Sequence, residues 1–301
     1  PFFGTRARMM ERVFDTDLLV QRKKRARRAG IADADFLMRR VAEDLGDRLS
    51  TVGRDFAEAA ALFCQTPAAA DALRRSGKVA TVRRVEADAA SLGGEKGTLA
   101  EPETVPLPPE SIDLAVSLLS LHSVNDIPGM LVQIRRALRP DGLFLGALAG
   151  SGTLAELRES LLVAETELSG GASPRVAPFV DVRDAGGLLQ RAGFALPVAD
   201  TETVRVRYGS MFELMRDLRA MGETSVLATR PRRPAPLSLF SRAAEIYAER
   251  HADADGRIPA TFQIVWLSGW APHASQQKPL KPGSASARLA DALASSRKNE
   301  S

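Results

Sequence analysis

The chain has 301 residues, 45% of them hydrophobic and 26% charged, which is ordinary for a globular protein with one large domain or two small ones. Its formal net charge of +4 is too mild to imply a nucleic-acid partner by itself, and its single cysteine, Cys64, excludes an internal disulfide framework. No apolar run approaches the roughly 20 residues that cross a bilayer, and the charged N-terminal stretch has no secretory core, so a cytoplasmic protein is expected.

In chain order, Pro1 to Gly30 is basic and reads as helical, with its densest charge run at Arg22 to Arg28. No aromatic residues interleave those charges, so the run reads first as a solvated helix face and second as a partner or nucleic-acid patch. Asp33 to Leu49 repeats Phe36, Leu37, Val41, Leu45 and Leu49 at helical spacing. Ala59 to Cys64 is a short candidate strand, Pro67 to Arg75 a helix, and Val79 to Val85 a clearer strand that ends in Glu86-Ala87-Asp88. Ser91 to Pro109 is rich in Gly and Pro and reads as loop around one weak strand near Thr98 to Ala100.

Glu110 to Ala149 carries the strongest pattern. Ile112 to Leu121 is almost wholly apolar, as befits a strand buried on both faces. Asn125 and Asp126 can cap a helix that has Pro128 in its first turn, and Ile127, Leu131, Ile134 and Leu138 form its apolar stripe. Arg139-Pro140-Asp141-Gly142 supplies turn chemistry before a second buried strand, Leu143 to Ala149. The unit is a right-handed βαβ crossover with parallel strands.

Beyond it, Thr153 to Leu168 reads as a helix with Leu154, Leu157, Leu161 and Leu162 on one face. Asp181 to Ala192 is a helix stopped by Gly193, and Val204, Val206 and Tyr208 alternate with arginines as a half-exposed strand. Helices at Met211 to Met221 and Leu237 to Arg250 flank a basic, Pro-rich linker, and Thr261 to Trp270 is a late strand. From Pro272 onward the chain is rich in Ser, Lys and Pro and is expected to be loosely held. Alternating strands and helices with no internal repeat predict a doubly wound α/β domain with a parallel core.

No phosphate-binding loop, H-E-x-x-H pair or G-x-S-x-G elbow occurs. The three histidines, His122, His251 and His273, are far apart, so no metal site is expected, and the calcium-like His251 to Gly256 lacks a closing Glu and reads as a turn.

The run SLHSVNDIPGMLVQIRRALRPDGLFLGALAGSGTLAELRESLLVAETE resembles class I S-adenosylmethionine-dependent methyltransferases. More narrowly, it resembles the respiratory complex I assembly factors that hydroxylate an arginine of a complex I subunit, and more widely the malonyl-carrier-protein methyltransferase of biotin synthesis. RVFDTDL, GGASPRVAPFVDVRDAGGLLQRAGF, MFELMRDLRAMGE, ATFQIVWLSGWAPH and QQKPLKPGSA are similar to further landmarks of the narrow family. The resemblance implies a Rossmann-like, doubly wound seven-stranded sheet. It also implies an N-terminal helical arm at 1–50, a methyltransferase-like domain at 51–271 with a helical insertion at about 209–258, and a flexible tail at 272–301.

It further implies that S-adenosylmethionine lies across the carboxyl ends of the first strands. A glycine-rich turn would approach the methionine part, an acid after the second strand would hold the ribose, and an acid after the third would meet the adenine. Carried onto this sequence, the turn falls at Cys64 and Gln65, the ribose acid at Glu86 or Asp88, and the adenine-side acid at Glu101. Ser117, Leu118 and His122 would line the end of the fourth strand. Each acid reads equally well as a surface carboxylate. His122 reads equally well as a cofactor-facing group or as a structural residue capping the Asn125 helix.

The turn departs from the family pattern. Ala61 stands where the first strand's acid would be, and Phe63, Gln65 and Pro67 stand where three glycines would be. Side chains held in glycine conformations cost about 1 to 3 kcal/mol each, so S-adenosylmethionine affinity is expected to be weak. Three functions follow. One is an S-adenosylmethionine-dependent enzyme, either a methyltransferase or, by the narrower resemblance, a hydroxylase of a protein arginine, with no catalytic residue assigned. The second is a non-catalytic chaperone for a complex I subunit, and the third, from Arg22 to Arg28, is a nucleic-acid binder.

Overall fold

A computed structural model describes residues 12–171 and 173–276. The stretch before Arg12 and the tail after Gln276, with most of QQKPLKPGSA, lie outside the described residues. Seven strands form one sheet in the order β3-β2-β1-β4-β5-β7-β6. β1 (Phe56–Leu62), β2 (Val79–Glu86), β3 (Thr98–Leu99), β4 (Ile112–Leu118) and β5 (Leu138–Ala149) are parallel, while β7 (Ile258–Trp270) runs antiparallel between β5 and β6 (Ala195–Tyr208).

Strand alternation sorts the core into two layers. Ala59 and Ala61 of β1, Leu143 and Leu145 of β5, and Phe262 and Trp266 of β7 share one face. They meet α2 (Phe36–Ser50), α3 (Ala68–Arg75), α6 (Ala155–Ser169), α8 (Met211–Ala220) and α9 (Leu237–His251). Ala60, Leu62, Ala115 and Phe144 face the other way, against α5 (Ile127–Ala137) and α7 (Val182–Arg191). β1, FAEAAAL, is a poor strand sequence, but pairing with β2 on one side and β4 on the other overrides its alanine content.

Several sequence expectations shift. Asp126 alone caps α5, its Oδ1 accepting from Gly129 N–H at 2.8 Å. Asn125 instead holds the N-terminal segment, accepting from Phe14 N–H at 2.9 Å and donating to Phe14 O at 3.2 Å. The predicted turn at Arg139 to Gly142 is a bulge inside β5, where one residue of β4, Asp113, is matched by four of β5 between the Ile112–Leu138 and Leu114–Leu143 pairs. A Cβ at Gly142 would sit 2.9 Å from Arg139 O and 3.1 Å from Asp113 O, so that crossing requires glycine. Leu162 is 52% exposed, whereas Leu157 and Leu161 of the same helix are buried.

Two helices precede the sheet, α1 (Thr16–Ala29) and α2. Asp15 caps α1 by accepting from Leu18 N–H, and Gly30 ends it in the left-handed conformation. Val41, Leu45 and Leu49 give α2 its buried stripe. Leu49→Ala is expected to cost about 2 to 5 kcal/mol, whereas Leu162→Ala should stay within about 0.5 kcal/mol of wild type; urea unfolding midpoints at unchanged slope check both.

Candidate functional site

The order of the sheet reverses between β1 and β4, so their carboxyl ends diverge and leave a crevice, the position where open α/β sheets bind ligands. The loop after β1, Phe63 to Pro67, forms one wall. Phe63 has φ +55° and Gln65 φ +62°, so two of the three glycine-equivalent positions keep a left-handed backbone while carrying bulky side chains. Pro67, at φ −68°, opens α3 instead. Leu119, just past β4, is likewise left-handed at φ +51°. Strained residues of this kind cluster at functional rims.

The acid after β2 is engaged from within. Both Glu86 carboxylate oxygens accept from Gln65 N–H at 3.0 Å, and Oε1 accepts from Arg84 Nη2 at 3.1 Å. Arg84 also donates to Ser91 O at 2.7 Å and Leu92 O at 3.1 Å. Arg84 and Glu86 are each only 1% exposed. Burial drives Glu86 up to about 7 against the opposing pull of Arg84 and the Gln65 amide. Asp88 is also occupied, as the cap of α4 (Ala89–Leu92), accepting from Ala90 N–H, Ser91 N–H and Ser91 Oγ.

The space left between these groups measures about 60 Å³ and is lined by Phe63, Gln65, Glu86, Asp88 and Glu103, with Leu19 and Val20 contributed by α1. Beside it, across the ends of β1, β4 and β5, lies a cavity of about 320 Å³. Its wall is mainly apolar, from residues such as Leu37, Met38, Leu157, Met215, Phe240 and Ile264.

One polar cluster enters that wall. Lys23, buried on α1, pairs with Glu223, which follows α8. The other Glu223 oxygen lies 3.8 Å from His122 Nε2. Burial alone would raise Glu223, but Lys23 and His122 outweigh it and bring it down to about 2. His122 Nδ1 accepts from Ala149 N–H at 3.4 Å, so that Nε2 faces Glu223. The imidazole also meets Phe179 edge-on at 5.9 Å.

The sequence-predicted residues therefore divide. Gln65 lines both spaces, Glu86 and Asp88 line the crevice, and His122 lines the larger cavity. His122 does not cap α5, since Asp126 does. Cys64 and Leu118 are 0% exposed inside the core, and burial pushes the Cys64 thiol up to about 12, so neither reaches a ligand. Ser117 is equally buried, its hydroxyl 2.9 Å from Ser120 Oγ. Glu101 is exposed and lines neither space; Glu103, two residues on, takes the crevice position and accepts from Asn125 and Asp126 N–H. Sequence reasoning missed Arg84 and Lys23. An arginine in an alternating strand and a lysine in a basic run carry no sign of burial, though Glu223 closes the MFELMRDLRAMGE landmark.

These elements define a methyltransferase-fold protein. Residues 64–146 match a methyltransferase-domain family, and the fold is similar to the YcgJ protein of Bacillus subtilis, with a TM-score of 0.52 and 13% identity over 78% of this chain and all of that one. Identity at the level of sequence is higher with arginine-hydroxylase NDUFAF5, mitochondrial. The rat protein is 39% identical over 290 residues, covering 93% of this chain and 83% of the relative, and the human protein is 40% identical over 284 residues, covering 91% and 81%. The chain belongs to the NDUFAF5 arginine-hydroxylase family.

S-adenosylmethionine, which this fold implies, does not fit the crevice as it stands. The crevice of about 60 Å³ falls short of the roughly 300–1,000 Å³ of a whole ligand site. Of the two spaces, only the adjoining cavity of about 320 Å³, which shares Lys23, Gln65 and Ser123 with it, has room for part of the group. The two acids that would meet the nucleoside are already hydrogen-bonded, and Pro67 removes a loop N–H.

Glu86 gives the site a pH signature. Its folded pKa of about 7 lies above the ordinary 4.5, so the folded state holds the extra proton and loses stability as pH rises through that window. Relative to Glu86→Gln, wild type is expected to lose about 2 to 3 kcal/mol between pH 4.5 and 8, read from unfolding free energies across the range. Glu223→Gln leaves Lys23 buried without its counter-charge and should cost about 1 to 3 kcal/mol, seen as a lowered Tm.

Proposed function

We propose that this chain serves respiratory complex I assembly by binding a protein client, with its S-adenosylmethionine crevice closed. The observation that carries the reading is the crevice of about 60 Å³, closed by Phe63 and by the Arg84–Glu86–Gln65 hydrogen bonds. Family membership supports the assembly role. The adjoining, larger cavity under α1, α2 and α8, which shares Lys23, Gln65 and Ser123 with the crevice, supports a surviving binding function.

A second reading is modification of a protein arginine, which the name of the relatives and their 39–40% identity along most of the chain support. It requires a cofactor pose that the crevice would have to open to admit. Moving the Phe63 side chain, freeing Glu86 from Gln65 N–H and re-solvating Arg84 would all precede binding, and each loses contacts made in a buried site.

Calorimetric titration of the full chain with S-adenosylmethionine is expected to show no binding in the micromolar range, and micromolar or tighter binding would favour the enzyme. Capture of complex I subunits by the same chain is expected to succeed without the cofactor. Mass spectrometry of the captured subunit after incubation with S-adenosylmethionine should find no added oxygen or methyl group on arginine.

A further inference from the structure

A second concavity, of about 570 Å³, opens between α1, α8, the segment around Arg175 and the Pro-rich linker before α9. Among the described residues, seven arginines and no carboxylate line it. Two of the seven have partners, Arg175 with Glu165 and Arg230 with Asp15. The other five, Arg22, Arg25, Arg216, Arg219 and Arg233, have no carboxylate within 4 Å among the described residues. Arg22 and Arg25 stand three apart on α1, and Arg216 and Arg219 three apart on α8, so each helix turns one cationic edge into the same groove. Burial and the neighbouring Arg230 and Arg25 hold Arg22 below its ordinary value, as expected of like charges gathered without an anion.

The groove adjoins the apolar cavity of about 320 Å³, because Arg175, Arg219, Thr224, Ser225 and Phe240 line both. Guanidinium forks match phosphate oxygens in pairs, and an apolar cavity wall gains nothing from a purely polar ligand. A cationic groove also repels an arginine-rich peptide, so it does not duplicate recognition of an arginine-bearing client.

We infer that the joined groove and cavity bind a phosphate-headed, single-chain amphiphile, its head among Arg22, Arg25, Arg216 and Arg219 and its chain against Met38, Leu157 and Phe240. A nucleic-acid strand is the weaker match, since Phe240 is the one aromatic among the described residues lining the groove and base stacking needs a series of them.

The full chain is titrated calorimetrically with monomeric decyl phosphate, inorganic phosphate and decanol. Decyl phosphate is expected to bind at least about tenfold more tightly than either fragment. The Arg216→Gln, Arg219→Gln double variant, exposed on α8 and so expected to fold, should lose about tenfold for decyl phosphate while leaving decanol unchanged. Equal affinity for decyl phosphate and phosphate would remove the cavity from the site, and an unaffected double variant would remove the groove; either overturns the inference. So would tighter binding of a single-stranded oligonucleotide or an acidic decapeptide, or retention on phosphatidic-acid vesicles without binding of monomeric decyl phosphate. None of these outcomes depends on the S-adenosylmethionine titration.

Discussion

The Glu86 carboxylate is the constraint on which the rest of the site depends. It receives the Gln65 amide and the Arg84 guanidinium in a setting where both side chains are 1% exposed. In such surroundings a charged group must be fully hydrogen-bonded or change its protonation state, and Glu86 does some of each, being both bonded and raised. The bond to Gln65 holds the loop after β1 in its left-handed turns without glycine. Arg84 in turn ties β2 to the carbonyls of α4, so the loop, the strand end and the short helix are fixed as one piece. The acid that would meet a ribose in a relative of this fold is here a structural anchor.

The sheet and most helices were legible in the sequence because burial imposes period. The two-sided burial of β4 and β5 appears as continuous apolar runs, and the stripe of α2 appears at helical spacing. β1 was harder, since its four alanines carry little β preference and only the flanking strands make them extended. The first nine residues of β6 were also missed, because a strand next to only β7 at the sheet edge alternates half-buried with exposed positions and shows no apolar run. Leu162 joined the apolar count of α6 but sits at its margin, where a single residue's rotation leaves it in water.

The candidate site was legible only in part. Position relative to strand ends located Gln65, Glu86, Asp88 and His122, because the topology dictates what faces the crevice. Glu101, expected on the adenine side, is exposed and lines neither space while Glu103 lines the crevice, since a loop rich in Gly and Pro does not preserve register. Position relative to strand ends could not reveal the Lys23–Glu223 pair, whose members lie 200 residues apart and meet through tertiary packing. The loop itself was read correctly as abnormal from its residue types. What it had become, a turn with Phe63 and Gln65 in left-handed backbone and both side chains lining the crevice, required the structure.

The basic run at Arg22 to Arg28 joins these observations, because one helix does three things with it. Lys23 points inward and is neutralised by Glu223, which also meets His122, so the run's buried member fastens α1 to the segment after α8 and to the sheet. Leu19 and Val20, one turn earlier, narrow the crevice. Arg22 and Arg25 face the groove with no carboxylate partner among the described residues. A helix selected only for solubility would distribute its charges outward and pair them at i+3 or i+4 with acids, as Arg39 does with Asp35 on the neighbouring segment. Here the like charges are concentrated where two helices converge beside an apolar cavity, an arrangement that repels itself until an anion enters. The narrow nucleoside crevice and the cationic groove thus lie on two sides of α1, and the cavity at the strand ends adjoins both.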